Sequence, residues 1–465
     1  MGSNNLMRNK RLLQSAIWLW LAALPWPALG QVQVSVKRGG PERHGACWTE
    51  TFEWNALARE GGKLILRADM GSVEITPGAG NQLEGRLVLR VYTGSEEKAR
   101  RVFDAYHLSA RSIEGGGVYV SGELSGSRHR DHSAGAEFDI KLPARFNLDV
   151  ETQGGDIGVE GALQGEARLT TAGGDIHTTD ISGPIRVETA GGGITLGNLG
   201  ARAEARTAGG SIHVGNVRGD AMIETSGGEI QVGQVGGTLR AETAGGDVVI
   251  AGAAGQVVAQ TAGGQIQVGP TGGSVRAETA GGSIRLQGAR GRVVAETAGG
   301  SIDLLQLEAG VRASTSAGRI LAEFNASAKT FAASQLETSM GDVYVYLPVG
   351  LSLTIDAAID AAAGHHIVTD FPLSILGDKE DFGERTIRGH GTLNGGGEVL
   401  RIRSVAGNIE IRKLDSRSLE DLKSREETSW NRWQERQAEK NQQQREREKE
   451  RRERQREKEE DRDQD

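Results

Sequence analysis

The chain has 465 residues, a net charge of −8 and 68 glycines, about twice the ordinary glycine share. With only 9 prolines it is not a collagen, and its glycine and proline together stay below the roughly 25–30% typical of low-complexity chains. All 20 aromatic residues lie outside residues 151–323, so this middle part must build its core from aliphatic residues. That composition argues against a large globular enzyme core there.

Residues 1–30 have the pattern of a secretory signal peptide. Arg8, Lys10 and Arg11 form a positive start, an apolar run covers Leu12 to Leu24, and Ala28-Leu29-Gly30 supplies small residues before the cleavage point. An uncleaved membrane anchor is the alternative, but the run is shorter than the ~20 residues that span a bilayer. We therefore expect an exported protein, periplasmic or at the cell surface, with no transmembrane segment after cleavage.

Residues 31–150 are predicted to form a β-rich capping domain that covers one end of the following repeats. Strand patterns occur in Lys63 to Leu66, Leu87 to Tyr92, Val118 to Val120 and Phe138 to Leu142. One helix is predicted from Ser95 to about Leu108, with Thr93 and Glu96 as a capping box and Ala99, Val102, Phe103 and Tyr106 on one face.

The single cysteine, Cys47, excludes a disulfide within one chain. It follows the predicted cleavage point by seventeen residues and lacks the apolar residue that precedes a lipoprotein cysteine. A buried structural thiol and an intermolecular disulfide both stay open for it.

An 18-residue repeat dominates residues 151–325. Its marker is Thr-Ala-Gly-Gly or a close variant, and all eight intervals between successive threonines are 18 residues. These threonines are Thr171, Thr189, Thr207, Thr225, Thr243, Thr261, Thr279, Thr297 and Thr315. A longer copy begins at Thr152 and a degenerate copy at Thr338.

Each repeat alternates apolar and polar residues on both sides of its Gly-Gly corner, as strands do. Val275, Ala277 and Thr279 share one side before the corner, and Ile284 and Leu286 share it after the corner. Three apolar columns recur between repeats; they contain Ile176 to Ile302, Val257 to Val311, and Leu199, Val217, Val235 and Leu307. The third column indicates an additional short inward face.

Such a unit cannot bury its apolar side alone, so the repeats are predicted to stack as coils of a parallel β-solenoid. The fold class is all-β, with ten coils forming a rod on the order of 50 Å long. The 39 glycines of residues 151–325 lie mostly at corners, where a positive φ or close backbone approach is needed.

The repeated threonines fall on the inward side of the strands. We therefore predict an internal ladder whose hydroxyls bond to one another or to corner amides, rather than an exposed ice-binding face. A calcium-binding β-roll is excluded, because no aspartate column follows the Gly-Gly pair at the ligand offset.

An outward column of the repeat is rich in glutamate. It contains Glu188, Arg206, Glu224, Glu242, Gln260, Glu278 and Glu296. Like charges at one strand spacing repel, and Arg186, Arg240, Arg276 and Arg312 two residues earlier are predicted to offset this repulsion. A solvated charged face is the preferred interpretation, and a weak divalent-cation stripe is the alternative.

Residues 326–415 are predicted to be irregular coils that complete the solenoid. Strands are expected at Asp342 to Leu347, Val399 to Arg403 and Asn408 to Arg412, with turns or loops at Asp370 to Leu373 and at Gly395 to Gly397.

Residues 416–465 form a charged tail with 15 basic and 16 acidic residues. Pairs such as Glu448 with Arg452 favour an exposed helix, and disorder is the alternative. An oligomer through this tail stays open, and its balanced charge argues against nucleic acid as a partner.

The unit from Gly183 to Ile194, Gly-Pro-Ile-Arg-Val-Glu-Thr-Ala-Gly-Gly-Gly-Ile, resembles the DUF4097 family of bacterial adhesin-like domains. The resemblance covers roughly residues 60–415 and includes Phe138 to Pro143 and Thr369 to Leu373. It implies an exported β-solenoid and names no ligand.

No catalytic, cofactor or metal site is predicted from the sequence. Arg128-His129-Arg130-Asp131-His132 is the densest group of metal-binding residue types, and a solvated loop is the preferred interpretation. His177 and His213 share an outward column but lie two coils apart, about 10 Å, too far to share an ion; His365, His366 and His390 are isolated.

The first functional hypothesis is therefore a non-catalytic, adhesin-like envelope protein that presents a surface to an envelope protein or a glycan. A carbohydrate-active enzyme on the solenoid is one alternative, and a scaffold that recruits a partner through its tail is another.

Overall fold

The structure, a computed structural model, describes residues 34–125, 134–325, 331–362, 364–379 and 385–414. Three predictions lie outside these residues: the signal peptide of residues 1–30, the His129 and His132 loop, and the tail of residues 416–465.

The described chain is an all-β solenoid with two long sheets, which confirms the predicted fold class. In each coil the strand before the Gly-Gly corner, which contains or adjoins the repeated threonine, belongs to an 18-stranded sheet, here called the threonine sheet. The shorter strand after the Gly-Gly corner belongs to a 19-stranded sheet, the isoleucine sheet. Within the repeats, successive coils pair in parallel and in register, as Val275 with Val293 and Ile284 with Ile302 show.

The elements follow one another along the chain in three groups. Those of the first group are β1 (Ser35–Arg38), β2 (Glu42–His44), β3 (Cys47–Leu57), β4 (Lys63–Ala68), β5 (Ser72–Gly78), β6 (Gln82–Tyr92), α1 (Glu96–Ala105), β7 (Tyr106–Ile113), a 3-10 turn (Glu114–Gly116), β8 (Gly117–Leu124) and β9 (Ala134–Pro143). Those of the repeats are β10 (Asn147–Thr152), β11 (Ile157–Val159), β12 (Ala167–Thr171), β13 (Ile176–Thr178), β14 (Ile185–Thr189), β15 (Ile194–Leu196), β16 (Ala203–Thr207), β17 (Ile212–Val214), β18 (Ala221–Thr225), β19 (Ile230–Val235), β20 (Leu239–Glu242), β21 (Val248–Ala253), β22 (Val257–Gln260), β23 (Ile266–Val268), β24 (Val275–Thr279), β25 (Ile284–Leu286), β26 (Val293–Thr297), β27 (Ile302–Leu307), β28 (Val311–Ala317) and β29 (Ile320–Phe324). Those of the last group are β30 (Ser334–Met340), β31 (Val343–Leu347), β32 (Leu353–Ile359), β33 (Ile367–Thr369), β34 (Ser374–Lys379), β35 (Arg385–Leu393), β36 (Val399–Ala406) and β37 (Ile409–Lys413).

A third line of contacts joins the coils beside the two sheets. Leu163, Ile181, Leu199, Val217 and Val235 form successive single-residue parallel bridges. The additional inward column therefore exists as a narrow line of bridges. All five side chains are buried in the aliphatic core.

Coils at both ends of the solenoid are stacked out of chain order. At the start, β4 lies between β8 and β10, and β5 lies between β9 and β11. At the other end, β36 lies between β30 and β32, and β37 lies between β31 and β33. Each inserted coil is thus paired with a neighbouring coil on both sides. This pairing opposes fraying of the inserted coil.

Antiparallel strands close both ends of the stack. β7 pairs with β8, and β6 and β3 extend the isoleucine sheet beyond β9. At the other end, β35 and β34 extend the threonine sheet beyond β32. These strands cover the open coil edges that would otherwise invite pairing with another chain.

The helix is shorter than predicted and has a different cap. It spans Glu96–Ala105, and the Ser95 hydroxyl, rather than that of Thr93, accepts a hydrogen bond from the Lys98 amide. Ala99 and Phe103 of the predicted face are buried, whereas Tyr106 already begins β7. Pairing of β7 with β8 ends the helix because it satisfies the backbone groups of residues 106–113.

The repeated threonines join neighbouring coils through their hydroxyls, so the predicted internal ladder is confirmed. In the coil of Thr243, Oγ1 donates to the carbonyl of Gly228 at 2.8 Å and accepts from the amide of Gly246 at 3.3 Å. Both partners are the second glycine of a Gly-Gly pair, in the previous coil and in the same coil. We call this arrangement the threonine clamp.

The clamp also extends past the exact repeat. The Thr152 hydroxyl donates to Gly71, that of Thr338 to Gly318, and that of Ser404 to Gly341. Ser404 is completely buried although no Thr-Ala-Gly-Gly motif surrounds it. Clamped coils therefore run from the first group of strands to the last.

Close backbone approach, and not a positive φ, explains the second glycine of each corner. A Cβ on Gly282 would lie 1.9 Å from the carbonyl oxygen of Gly264 in the previous coil. A Cβ on Gly281 would lie 3.4 Å from the nearest atom, an ordinary contact. Among the described glycines of residues 151–325, only Gly161 has a positive φ.

We predict that Gly282→Ala strongly destabilises the solenoid, because the added methyl group collides with backbone of the previous coil. Overpacking of this kind costs about 1–3 kcal/mol or more. Gly281→Ala is the matched control and should change the unfolding free energy by less than about 1 kcal/mol. Urea denaturation checks both variants, and equal losses in the two would contradict the close-approach explanation.

Thr243→Val is expected to cost about 1–3 kcal/mol, since it leaves two buried backbone groups without their hydrogen bonds. Thr195→Val, at an exposed outward position, should have almost no effect. The measurement is the denaturation midpoint. A midpoint for Thr243→Val as high as that of the unmodified chain would show that the clamp does not stabilise the stack.

An ion-pair cluster fastens the inserted coil to the repeats. Asp149 of β10 contacts Lys63 Nζ at 2.9 Å and the Arg67 guanidinium at 2.7 Å, both on β4. Burial opposes ionisation of Asp149, but the hydrogen bonds from Lys63 and Arg67 outweigh it and lower the pKa of this carboxyl. The cluster therefore stabilises the folded chain when Asp149 is ionised.

Because the folded pKa is lowered, this stabilisation is complete above the ordinary carboxyl pKa of about 3.9 and is lost as the pH falls through the folded value. Asp149→Asn should cost about 1–3 kcal/mol at pH 7 and should reduce the loss of stability below pH 4. Glu151→Gln, at a 58% exposed partner of Arg67, is the control. Thermal unfolding between pH 7 and pH 3 measures the difference; identical pH profiles for all three chains would refute the assignment.

Candidate binding surface

Two polar ladders cover the outer side of the threonine sheet. The first ladder is Arg168, Arg186, Glu204, Met222, Arg240, Val258, Arg276, Val294 and Arg312. The second ladder is Thr170, Glu188, Arg206, Glu224, Glu242, Gln260, Glu278, Glu296 and Ser314. Their side chains repeat at the strand spacing of about 4.8 Å.

Arginines neutralise the glutamates of the ladders, as predicted. Arg240 pairs with Glu242 and Arg276 with Glu278 within one strand. Arg206 Nε lies 3.0 Å from Glu224 Oε2 on the next coil. The Gln260 side-chain amide also donates to Glu278 at 2.6 Å. The surface thus combines hydrogen-bond donors and acceptors and carries little net charge locally.

A shallow groove of about 620 Å³ follows the corner beside the second ladder. It is lined by Glu188, Thr189, Arg206, Thr207, Ala208, Glu224, Thr225, Ser226, Glu242, Thr243 and Ala244. The ladder supplies charged groups to one wall, and small corner residues form the other. Four charged side chains on successive coils, Glu188, Arg206, Glu224 and Glu242, therefore line the groove.

A second concavity of about 480 Å³ lies on the strands that close the start of the isoleucine sheet. Its lining is Glu42, His44, Ala46, Cys47, Thr49, Thr51, Arg86, Val88, Arg90, Tyr92, Glu137 and Asp139. Cys47 is half-buried, and its Sγ donates a hydrogen bond to the carbonyl oxygen of His44 at 3.3 Å. This position does not match a buried structural thiol, and the intermolecular disulfide stays a prediction.

The histidines occupy separate places, as the sequence indicated. His177 and His213 align on the isoleucine sheet with Thr195 between them, and His213 contacts Glu229 at 3.3 Å. His365 is half-buried, and His366 and His390 are exposed. No three-ligand metal cluster within the described residues contains any of these except His177.

His177 has two neighbours that sequence reasoning missed. One oxygen of Glu74 and one of Glu160 lie with a His177 ring nitrogen within 4.8 Å of one another. Glu74 belongs to the inserted coil, and no repeat motif indicates the position of this coil in the stack.

In the described part of the chain, no helix is both long enough and apolar enough to cross a membrane.

Solved structures that resemble the chain include two bacterial proteins. One is a Clostridium sporogenes protein described as a putative cell adhesion protein, with 10% identity, coverage of 81% of this chain and 100% of that chain, and a TM-score of 0.15. The other is a Bacteroides fragilis protein described as a putative adhesin, with 12% identity, coverage of 52% and 95%, and a TM-score of 0.23.

No curated protein matches the sequence. A family model, Toastrack DUF4097, matches residues 136–268, a shorter part than the predicted resemblance over roughly 60–415. The match includes the last strand before the repeats and the first coils of the regular stack. Residues 136–268 of this chain are therefore similar to the Toastrack DUF4097 family.

Proposed function

We propose that the protein is an exported, non-catalytic, adhesin-like solenoid that binds a cell-envelope partner along the threonine sheet. The observation that carries this proposal is the pair of polar ladders with the groove beside them. They place charged and amide side chains at fixed spacing on a rigid surface, which suits binding to a repetitive polar partner.

Rigidity supports a binding role. Every ladder residue projects from a strand that is paired on both sides and clamped at its corner. A preorganised surface loses little conformational entropy when it binds. The clamp therefore supports binding as well as the fold.

The geometry favours an extended glycan over a compact protein partner. The groove runs along the stacking direction and has a charged wall and a wall of small residues. Glycan hydroxyls both donate and accept hydrogen bonds, so they match the paired arginine and glutamate groups. An envelope protein with an extended polar segment is the alternative partner.

Glu224→Gln combined with Glu242→Gln should weaken binding to envelope glycans about tenfold or more, since two charged acceptors leave the groove wall. Folding should be retained, because Glu224 and Glu242 form partly exposed surface ion pairs, which contribute only about 0–1 kcal/mol each. Glycan arrays and pull-downs from envelope fractions with the full chain measure binding.

The matched control is Thr195→Ala combined with Gln231→Ala on the outer side of the isoleucine sheet, and it should bind normally. Equal losses in both double variants would refute the assignment to the threonine sheet. Release of reducing ends from a polysaccharide by the full chain would instead support the carbohydrate-active enzyme. Cell fractionation tests export to the periplasm or cell surface.

A further inference from the structure

The start of the isoleucine sheet carries a cluster of metal-ligand side chains on its outer side. Glu74 is on β5, Glu160 directly follows β11, and His177 is on β13. The Glu74 and His177 positions align across β11, with Gly158 between them. His177 Nε2 lies 3.8 Å from Glu74 Oε2. This distance is too long for a hydrogen bond but short enough for both atoms to approach one metal ion.

Gly158 provides the space that brings the two side chains together. A Cβ on Gly158 would lie 2.1 Å from Oε2 and 2.6 Å from Oε1 of Glu74. The carboxylate therefore occupies the place of the missing side chain and lies over the backbone of β11. Any other residue at position 158 would displace it.

The Glu74 carboxylate is also poorly compensated. Its Oε1 atom is buried and forms no hydrogen bond within the described structure. Burial raises the pKa of this carboxyl, His177 opposes the increase, and Glu160 and Asp139 add to it. A bound cation would supply the positive charge that this group of carboxylates lacks.

We propose that Glu74, Glu160 and His177 bind a divalent transition-metal ion, with Zn²⁺ as the best fit. An imidazole nitrogen with two carboxylate oxygens favours zinc over magnesium or calcium, which prefer oxygen ligands alone. Zinc holds its ligand atoms about 2.0–2.2 Å from the ion, so the three atoms must close to about 3.3 Å from one another. The His177 side chain is 43% exposed and Glu160 is exposed. Both side chains can therefore rotate to bring their ligand atoms closer together.

The site would fasten the inserted coil to the repeats, since its ligands come from three neighbouring coils. Water would complete the zinc coordination on the solvent side. This proposal does not depend on binding at the threonine sheet, which lies on another side of the coil.

Equilibrium dialysis of the metal-free full chain against Zn²⁺ tests the site. We expect one bound zinc per chain and a higher thermal unfolding midpoint with zinc, because a ligand of the folded state stabilises it. His177→Gln and Glu74→Gln should each weaken zinc binding at least tenfold, and both should leave the midpoint without metal nearly unchanged. Gly158→Ala should weaken binding too, although it removes no ligand.

His213→Gln is the matched control, because His213 lies on the same ladder beside a single carboxylate. It should bind zinc as the unmodified chain does. Undiminished binding by His177→Gln, an equal loss in His213→Gln, or displacement of zinc by equimolar Mg²⁺ would each overturn the proposal. The last result would identify non-specific binding to surface carboxylates.

Discussion

The threonine clamp is the interaction on which the whole stack depends. Each hydroxyl bridges the second glycines of two successive corners, so the coil spacing is set by a short side chain. The same spacing brings the backbones so close that those glycines have no room for a Cβ. Threonine and glycine are thus required together, since one supplies the bridge and the other permits the approach.

Once the corners are fixed, the two sides of each strand can serve different purposes. Inward positions form aliphatic ladders that a narrow coil can bury, and outward positions are free of any packing requirement. The outward ladders of the threonine sheet nevertheless carry arginine and glutamate at most of their positions. A concentration of paired charges at positions that the core does not constrain is the physical basis for proposing binding at that surface.

Much of the architecture was predictable because it is local. Alternation identifies the inward side of each strand, and the 18-residue period identifies its partner in the next coil, so the clamp threonines and the Arg–Glu offset followed directly. The predicted helix end at about Leu108 was wrong, because pairing of β7 with β8, a non-local interaction, competes with helix formation after Ala105. The approach of Glu74 to Glu160 and His177 was not predicted, because it too is non-local and the strand of Glu74 lies outside the repeat.

The sequence by itself determined that residues 151–325 form a solenoid, which residues face its core and where its corners lie. Only the tertiary structure decided that the coils of β4–β5 and β36–β37 insert out of chain order, and that Glu74 meets Glu160 and His177. The physical reason is that alternation specifies which side of a strand faces the core, and the period specifies, within the repeat, which strand is its neighbour. For a strand without the repeat, the neighbour is selected by shape and hydrogen bonding across the stack, which no local pattern records.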